Sequence, residues 1–169
     1  SNNAPIKIKE FFSLTCGHCS NFHIKTLPQL KKKYIDTGKV QLEFIDYPLD
    51  RLAVIAATLA RSIPTKDGYV EAVSILLKKQ KQWAYSKNPL NELQSIAKLF
   101  GISSKKFNDI SQNIPLMQEI VTKMEKESKN FDINSTPTFI VNDKYKISGA
   151  LSFKDFEKEL LKSINAKKS

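Results

Sequence analysis

Two cysteines, Cys16 and Cys19, are the only ones in the chain, and two residues separate them. A disulfide across so short a loop removes little conformational entropy from the unfolded chain, so it would stabilise the fold only weakly. The pair follows an apolar run over residues 7–14 and precedes a segment with helical periodicity. A cysteine pair at the turn from a strand into a helix is suited to thiol–disulfide exchange.

The two sulfurs are expected to differ in acidity. Cys16 is predicted at the N-terminus of a helix over residues 17–34, where unpaired backbone N–H groups and the helix dipole stabilise an anion. Its pKa should therefore be depressed. Cys19 lies one turn into the helix and should be more buried and less acidic. Cys16 is thus predicted to be the attacked or attacking sulfur, and Cys19 to resolve the mixed disulfide.

Two further residues are candidates for a part in this exchange. His18 lies between the cysteines, and its imidazolium would stabilise the Cys16 thiolate and make the disulfide more oxidising. Glu10 is in phase with the apolar side chains of its predicted strand, so it should point inward with them. A carboxylate buried beneath the cysteines could accept or relay protons. The alternatives are an exposed histidine in a turn and a carboxylate that reaches water at the sheet edge.

Other uses of the cysteines fit the spacing less well. A c-type haem site needs a histidine directly after the second cysteine, where this chain has Ser20. A structural zinc site needs four ligands, and His18, between the two cysteines, cannot easily close on the same metal as they do. No metal site is therefore predicted. His23, one turn past Cys19, is interpreted as a packed or solvated histidine on the helix face.

The wider pattern predicts a strand–helix–strand unit, a helical block and a strand–strand–helix unit. Strands over residues 6–14 and 40–45 flank the first helix, in which Pro28 should produce a kink. Later strands over residues 138–141 and 144–148 should form a hairpin, followed by a helix that begins at Ser152. Five helices are predicted in the middle of the chain, over residues 51–61, 67–83, 90–100, 103–111 and 115–128.

The predicted fold class is therefore α/β, with a four-stranded sheet, helices on its faces and an inserted helical domain. The sheet domain comprises residues 1–50 and 131–169, and the insertion comprises residues 51–130. Thr136-Pro137 begins the third strand. In such a sheet the start of that strand can lie beside the Cys16 turn. In the presence of the cysteine pair, this proline is predicted to follow a cis peptide bond.

The amino-acid composition limits the kinds of partner that the chain is predicted to bind. The chain has 169 residues, of which 41% are hydrophobic and 26% charged, the balance of a globular protein. The net charge of +10 comes from lysines scattered along predicted helices, and Arg51 and Arg61 are the only arginines. Nucleic acid is therefore not a predicted partner. The longest apolar stretch is too short to span a bilayer, and no secretory signal opens the chain, so cytosolic and exported parents both stay open.

These residues resemble the thioredoxin superfamily and, more narrowly, the DsbA-like thiol–disulfide oxidoreductases of bacterial envelopes. The resemblance runs over about residues 6–164. The helical insertion, including residues 76–83, distinguishes this family from plain thioredoxin. Three motifs carry the resemblance: Glu10-Phe11-Phe12-Ser13, Cys16-Gly17-His18-Cys19 and Thr136-Pro137-Thr138-Phe139.

The resemblance implies a thioredoxin fold in which Cys16 is the nucleophile, Cys19 the resolving cysteine, and their disulfide the only redox group. Thr136 would offer its backbone to an extended substrate peptide, with Pro137 holding that edge close to the sulfur. It also implies residence in the periplasm or an equivalent exported compartment, reached with a signal sequence that this chain lacks. The substrates would be cysteine-containing exported proteins, and a DsbB-like or quinone-linked membrane partner would reoxidise the pair.

Two positions depart from the best-known oxidase of the family and match disulfide isomerases instead. Gly17 stands where that oxidase has proline, and Thr136 where it has valine. The chain has no room for the dimerisation domain of dimeric isomerases, so a monomer is predicted. The prediction is an enzyme that introduces disulfides into exported proteins. The alternatives are an isomerase or reductase that uses the same residues, and a non-catalytic thioredoxin-like chaperone or adaptor.

Overall fold

Four strands form one mixed sheet in the computed structural model, which describes residues 2–166. They are β1 (Ile6–Phe12), β2 (Val40–Asp46), β3 (Thr138–Val141) and β4 (Tyr145–Ser148). The strand order is β2–β1–β3–β4. β1 pairs in parallel with β2 and antiparallel with β3, and β3 and β4 form an antiparallel hairpin. The order β–α–β followed by β–β–α is the predicted one.

The central strand, β1, is buried on both faces of the sheet. Side chains alternate along a strand, so Ile8 and Phe11 point in opposite directions. Ile8 belongs to a cluster with Phe22 from the first helix and Phe139 from β3. Phe11 packs on the other face with Ile45 and neighbouring residues. The chain that leaves the end of β1 is therefore anchored by a strand with little freedom to move.

Nine α-helices and a five-residue π-helical turn, Lys31–Ile35, surround this sheet within residues 2–166. The helices are α1 (Gly17–Lys25), α2 (Leu27–Leu30), α3 (Arg51–Arg61), α4 (Gly68–Lys78), α5 (Gln80–Trp83), α6 (Pro89–Lys98), α7 (Ser104–Ile110), α8 (Ile114–Phe131) and α9 (Phe153–Ala166).

The prediction of a single kinked helix over residues 17–34 was wrong. The helix breaks at Thr26, and α2 and the π-helical turn continue the segment. Pro28 has no N–H to donate to the carbonyl one turn earlier, so a regular helix cannot pass this point. At the break, the hydroxyl of Thr26 donates to the carbonyl of Leu151, 2.6 Å away, and this bond connects the break to the segment before α9.

The helical block follows its predicted order with shifted ends. α3 has the predicted bounds because Asp50 caps it, accepting a hydrogen bond from the backbone N–H of Ala53 at 2.8 Å. The helix predicted over residues 67–83 is divided at Lys79 into α4 and α5. In α9, Phe156 and Leu160 are buried, whereas the neighbouring Leu161 is 46% exposed.

The largest hydrophobic cluster joins the end of β1 to the helical block. Phe12, Leu14 and both cysteines belong to it, together with residues of α3, α4 and α5 such as Leu76. The division into a sheet domain and an inserted domain stays a prediction, because this core crosses the boundary between them. None of the helices within residues 2–166 has both the length and the apolar character needed to cross a lipid bilayer.

Candidate active site

The loop after β1 places the Cys16 sulfur at the start of α1. Cys16 is the N-cap residue, with extended backbone angles (φ −83°, ψ 118°), and its Sγ accepts a hydrogen bond from the backbone N–H of Cys19 at 3.4 Å. Its carbonyl accepts from the N–H of Ser20, which begins the helical ladder. The sulfur therefore lies where unpaired N–H groups favour negative charge.

The two thiols, both free, have opposite electrostatic environments. The pKa of Cys16 is lowered to about 5, mainly by a hydrogen bond from the Cys19 side chain. A side-chain hydrogen bond with Thr136 and backbone N–H groups lower it further, although burial acts in the opposite sense. Burial, followed by the interactions with Cys16, raises the pKa of the Cys19 thiol far above its ordinary range. Cys16 is 8% exposed and Cys19 is fully buried, so an external reagent reaches Cys16 first.

The entrance to β3 lies beside the Cys16 sulfur, although the two are 120 residues apart in sequence. The pairing of β1 with β3 sets Phe11 opposite Thr138 and so brings the preceding residues to the start of α1. The Cys16 thiol donates to the carbonyl oxygen of Thr136 at 3.6 Å. The peptide bond between Thr136 and Pro137 is cis.

A buried acid–base pair lies beneath the cysteines. The Nε2 of His23 is 2.8 Å and 3.0 Å from the two carboxylate oxygens of Glu10. Both side chains are almost fully buried, at 3% and 0% exposure. The charge of Glu10 contributes to the raised pKa of Cys19. This pair is therefore placed to interact with the deeper sulfur rather than with Cys16.

The sequence interpretation of His23 missed this pairing. His23 is packed, as one alternative had it, and its ring lies against Phe12, Phe22 and Phe44. Its partner could have been inferred from position: His23 lies one helical turn after Cys19, on the same face of α1, above a strand whose inward carboxylate is Glu10.

His18 is exposed at the first turn of α1. Its backbone N–H contributes to the lowered pKa of Cys16. The role of the imidazole beside the thiolate stays a prediction.

Gln80 of the helical block contacts the loop between β1 and α1, residues 13–16, which we call the cysteine loop. Its side chain is 2% exposed, and its Nε2 donates to the carbonyls of Leu14 and Cys16 at 2.9 Å each. The hydroxyl of Tyr85, a residue 60% exposed, donates to the Oε1 of Gln80 at 3.4 Å. Sequence reasoning singled out the segment that contains Gln80 but gave this residue no role. A glutamine among inward-facing apolar positions was the available signal.

Within the described range, 2–166, no three or more His, Cys, Asp and Glu side chains are grouped so that they could hold a metal ion.

Comparisons with known proteins agree with this architecture. A family model described as thioredoxin matches residues 1–162. The crystal structure of Wolbachia pipientis alpha-DsbA1 is similar over 96% of this chain and 87% of its own, with 31% identity and a TM-score of 0.85. The crystal structure of Chlamydia trachomatis DsbA, at 21% identity and a TM-score of 0.80, covers all of this chain and 90% of its own, and it shows the same fold.

A curated relative in Rickettsia typhi, provisionally named protein-disulfide oxidoreductase, is 31% identical over 142 residues. That alignment covers 84% of this chain and 53% of the relative, so the chain spans about half the length of the Rickettsia relative. The predicted thioredoxin fold with a helical block is confirmed by these comparisons. The chain belongs to the thioredoxin superfamily and, within it, to the DsbA-like proteins.

Proposed function

We propose that the protein is a thiol–disulfide oxidoreductase that introduces disulfide bonds into exported proteins. The observation that carries this proposal is the asymmetric cysteine pair. Cys16 caps α1 and its Sγ accepts a hydrogen bond from the Cys19 N–H, whereas Cys19 is fully buried. The pKa of Cys16 is accordingly lowered to about 5, and that of Cys19 is raised. A scaffold that stabilises one thiolate stabilises the reduced pair relative to the disulfide. The oxidised pair is then a strong acceptor of electrons from substrate thiols.

The proposed reaction has two exchange steps. A substrate thiolate attacks Cys16 Sγ of the Cys16–Cys19 disulfide, the S–S bond breaks, and Cys19 leaves and takes up a proton. A second substrate thiolate then attacks the substrate sulfur of the mixed disulfide and expels Cys16 as a thiolate. The substrate loses two electrons and gains a disulfide, and the enzyme pair is reduced. The low pKa of Cys16 favours the second step, because an acidic thiol is the better leaving group.

The first step needs a proton source for Cys19. Because the pKa of this thiol is raised, its thiolate is a poor leaving group in the buried site. Glu10 and His23, joined at 2.8 Å, form a buried acid–base pair, and the charge of Glu10 acts on the Cys19 thiol. We assign this pair the transfer of the proton. This assignment extends the sequence prediction for Glu10 to a second residue.

Substrate is proposed to bind along the entrance to β3. While Cys16 is a thiol, it donates to the carbonyl oxygen of Thr136. A thiolate or a mixed disulfide has no proton to donate, so that carbonyl becomes free to accept from the backbone N–H of an extended substrate peptide. Pro137 fixes the end of this edge. The substrate class is therefore a reduced, unfolded polypeptide with an accessible cysteine.

The cycle leaves a dithiol and so requires a reoxidant. We propose a membrane partner of the DsbB type that passes the two electrons to a quinone, and residence in the periplasm or an equivalent exported compartment. The protein is proposed to act as a monomer with no cofactor besides the Cys16–Cys19 disulfide. The printed name of one relative, thiol:disulfide interchange protein DsbA of Buchnera aphidicola, supports the thiol–disulfide exchange on which this assignment depends.

A glutathione redox titration tests the direction of electron flow. We expect a reduction potential well above that of thioredoxin, about −270 mV, and nearer to that of a strong oxidase, about −120 mV. The oxidised protein should also form disulfides in a reduced, unfolded substrate, and Cys16→Ser should abolish this activity. A potential as low as that of thioredoxin would overturn the oxidase assignment. Full activity of Cys16→Ser would point to the adaptor alternative instead.

The isomerase alternative rests on Gly17 and Thr136, which match isomerases at these two positions. It predicts that the reduced protein rearranges a scrambled substrate faster than the oxidised protein oxidises a reduced one. Measuring both rates on one substrate separates the two functions.

A further inference from the structure

A buried amide of the helical block, that of Gln80, holds the cysteine loop on its inner side; at the surface the hydroxyl of Thr15 donates to Asp50, the N-cap of α3, at 3.0 Å. Gln80 begins α5, and its Nε2 lies 2.9 Å from the carbonyl oxygens of both Leu14 and Cys16. These two carbonyls belong to the peptide groups on either side of the loop that carries the sulfur. One side chain therefore fixes both ends of this loop.

These bonds restrict where the sulfur can lie. The backbone of Cys16 sets the direction of its Cα–Cβ bond, and its Sγ accepts from the Cys19 N–H at 3.4 Å. The Cys16 carbonyl accepts from Gln80 and also from the N–H of Ser20, the first bond of the α1 ladder. A rotation of this peptide group would break both bonds. The amide thus keeps the sulfur at the N-terminus of α1, where a thiolate is favoured.

The same bonds also act electrostatically. A carbonyl oxygen carries partial negative charge, and two such oxygens close to a thiolate disfavour it. The N–H groups of Gln80 offset that charge at Leu14 and Cys16. The positioning of the Cys16 sulfur and the compensation of the carbonyl charges therefore both stabilise the Cys16 thiolate.

A second contact of the helical block reaches α1. The hydroxyl of Ser20 donates to the carbonyl of Leu77 at 2.6 Å, which ties the helix to α4. Gln80 differs from this contact because it reaches the loop on the sulfur side of the helix start. The Ser20 contact joins the helical block to α1 but does not reach the carbonyls around Cys16, which Gln80 does.

We propose that Gln80 is a positioning residue through which the helical block holds the Cys16 sulfur at the start of α1 and so stabilises its thiolate. The proposal rests on the proposed oxidoreductase function and names the part of the helical block that tunes it.

Gln80→Met tests the proposal, because methionine has a similar length and no N–H to donate. We expect the midpoint of the Cys16 thiolate titration, followed by ultraviolet absorbance, to rise by about one pH unit. The equilibrium constant with glutathione should move roughly tenfold toward the disulfide form, which makes the pair a weaker oxidant.

Trp83→Phe is the matched control. Trp83 lies in the same short helix and is fully buried, and its one indole N–H donates to the carbonyl of Leu76 at 2.8 Å rather than to a carbonyl of the cysteine loop. This variant should lower thermal stability and leave the Cys16 midpoint and the glutathione equilibrium unchanged. An equal shift in both variants would mean general loosening of the core and would overturn the proposal.

A measurement on the unaltered protein covers the case in which Gln80→Met does not fold. The ¹⁵N chemical shift of the Gln80 side-chain amide should change with pH in step with the Cys16 midpoint, since its hydrogen-bond partners flank the ionising sulfur. A constant shift through that midpoint would overturn the role of Gln80. A Cys16 midpoint near that of free cysteine would instead remove the proposed function. A low midpoint that Gln80→Met leaves unchanged would remove only the role of Gln80.

Discussion

At the residue scale, the chemistry depends on the unequal stabilisation of two thiolates three residues apart. Cys16 lies at the edge of the core and accepts hydrogen bonds as an N-cap, whereas Cys19 is enclosed by apolar side chains. The same helix that exposes one sulfur to its N–H groups buries the other. The pKa of Cys16 is lowered to about 5, mainly by a hydrogen bond from the Cys19 side chain, and burial raises the pKa of Cys19.

The low pKa of Cys16 predicts how the stability of the reduced protein depends on pH. The folded thiol ionises near 5 and the unfolded thiol near its ordinary value of 9.0. Between these values the unfolded state binds the proton and the folded state does not, so stability rises with pH. The contribution is complete above the unfolded value and is lost as the pH falls toward 5, by about 1.4 kcal/mol per pH unit.

Urea denaturation of the reduced protein at pH 6 and pH 8 measures this slope. Cys16→Ser has no thiol at this position and supplies the pH dependence of the remaining groups. If the reduced protein and Cys16→Ser change equally between the two pH values, the thiolate does not stabilise the folded state.

From the buried pair of Glu10 and His23, we predict that a substitution of Glu10 slows the reaction of Cys19 and leaves the acidity of Cys16 unchanged. Glu10→Gln keeps the shape of the side chain but removes the base, so attack by Cys19 on a mixed disulfide should slow roughly tenfold or more. The Cys16 midpoint should not move. Trp83, the single tryptophan, lies in the same core cluster as both cysteines and reports the step by fluorescence.

Glu43→Gln is the control for that experiment. Glu43 lies on β2, its side chain is 51% exposed, and its ion pair with Lys123 is on the surface. This variant should resolve the mixed disulfide at the unaltered rate. An unaltered rate in Glu10→Gln as well would assign the proton transfer to solvent.

At the scale of the elements, local signals predicted more than long-range contacts. The bounds of α3 followed from a capping aspartate and an apolar periodicity, both of which act within a few residues. The break at Thr26 depends partly on a bond to Leu151, which is remote in sequence. Gln80 was missed for the same reason: its two partners lie more than 60 residues away, and only the folded topology brings them together.

The start of α1 predicts that Gly17 can accept a side chain. A Cβ at Gly17 would lie 3.3 Å from the hydroxyl of Tyr85. Tyr85 is 60% exposed and its bond to Gln80 is long, at 3.4 Å, so we expect the hydroxyl to move by the few tenths of an ångström required. Because alanine loses less entropy than glycine in a helix, Gly17→Ala should stabilise the protein by about 0.5 kcal/mol in urea denaturation. Gly101→Ala is the contrasting variant: its φ of +76° is left-handed, so about 1 kcal/mol should be lost. A loss at Gly17 as large as at Gly101 would show that Tyr85 is fixed.

At the scale of the whole molecule, the helical block and the sheet are joined by a shared core and by a polar anchor. The core brings Phe12 and Leu14 together with residues of α3, α4 and α5. The anchor lies at the end of β2, where the carboxylate of Asp46 accepts from Arg61 at 3.1 Å and from the hydroxyl of Tyr69 at 3.0 Å. The guanidinium of Arg61 also lies 3.5 Å above the Tyr69 ring. These contacts connect the sheet to the start of the block.

Arg61→Met tests how strongly this anchor holds the molecule together. Burial raises the pKa of Asp46, and the charge of Arg61 opposes that effect, so the variant should leave a buried carboxylate poorly compensated. Arg61 is about one-third exposed, and we therefore expect a loss of about 2 kcal/mol at pH 7, less than for a fully buried pair.

The sign of the pH dependence separates this mechanism from lost packing. A carboxylate whose folded pKa is raised stabilises the fold when protonated and loses that contribution as the pH rises through the folded value. Removing Arg61 raises that pKa further, so the deficit of Arg61→Met should shrink as the pH falls and Asp46 takes up a proton. Asp46→Asn with Arg61→Met should recover part of the stability at pH 7, because no charge is then left buried. A deficit independent of pH, with no recovery in the double variant, would assign the loss to the contact between Arg61 and Tyr69.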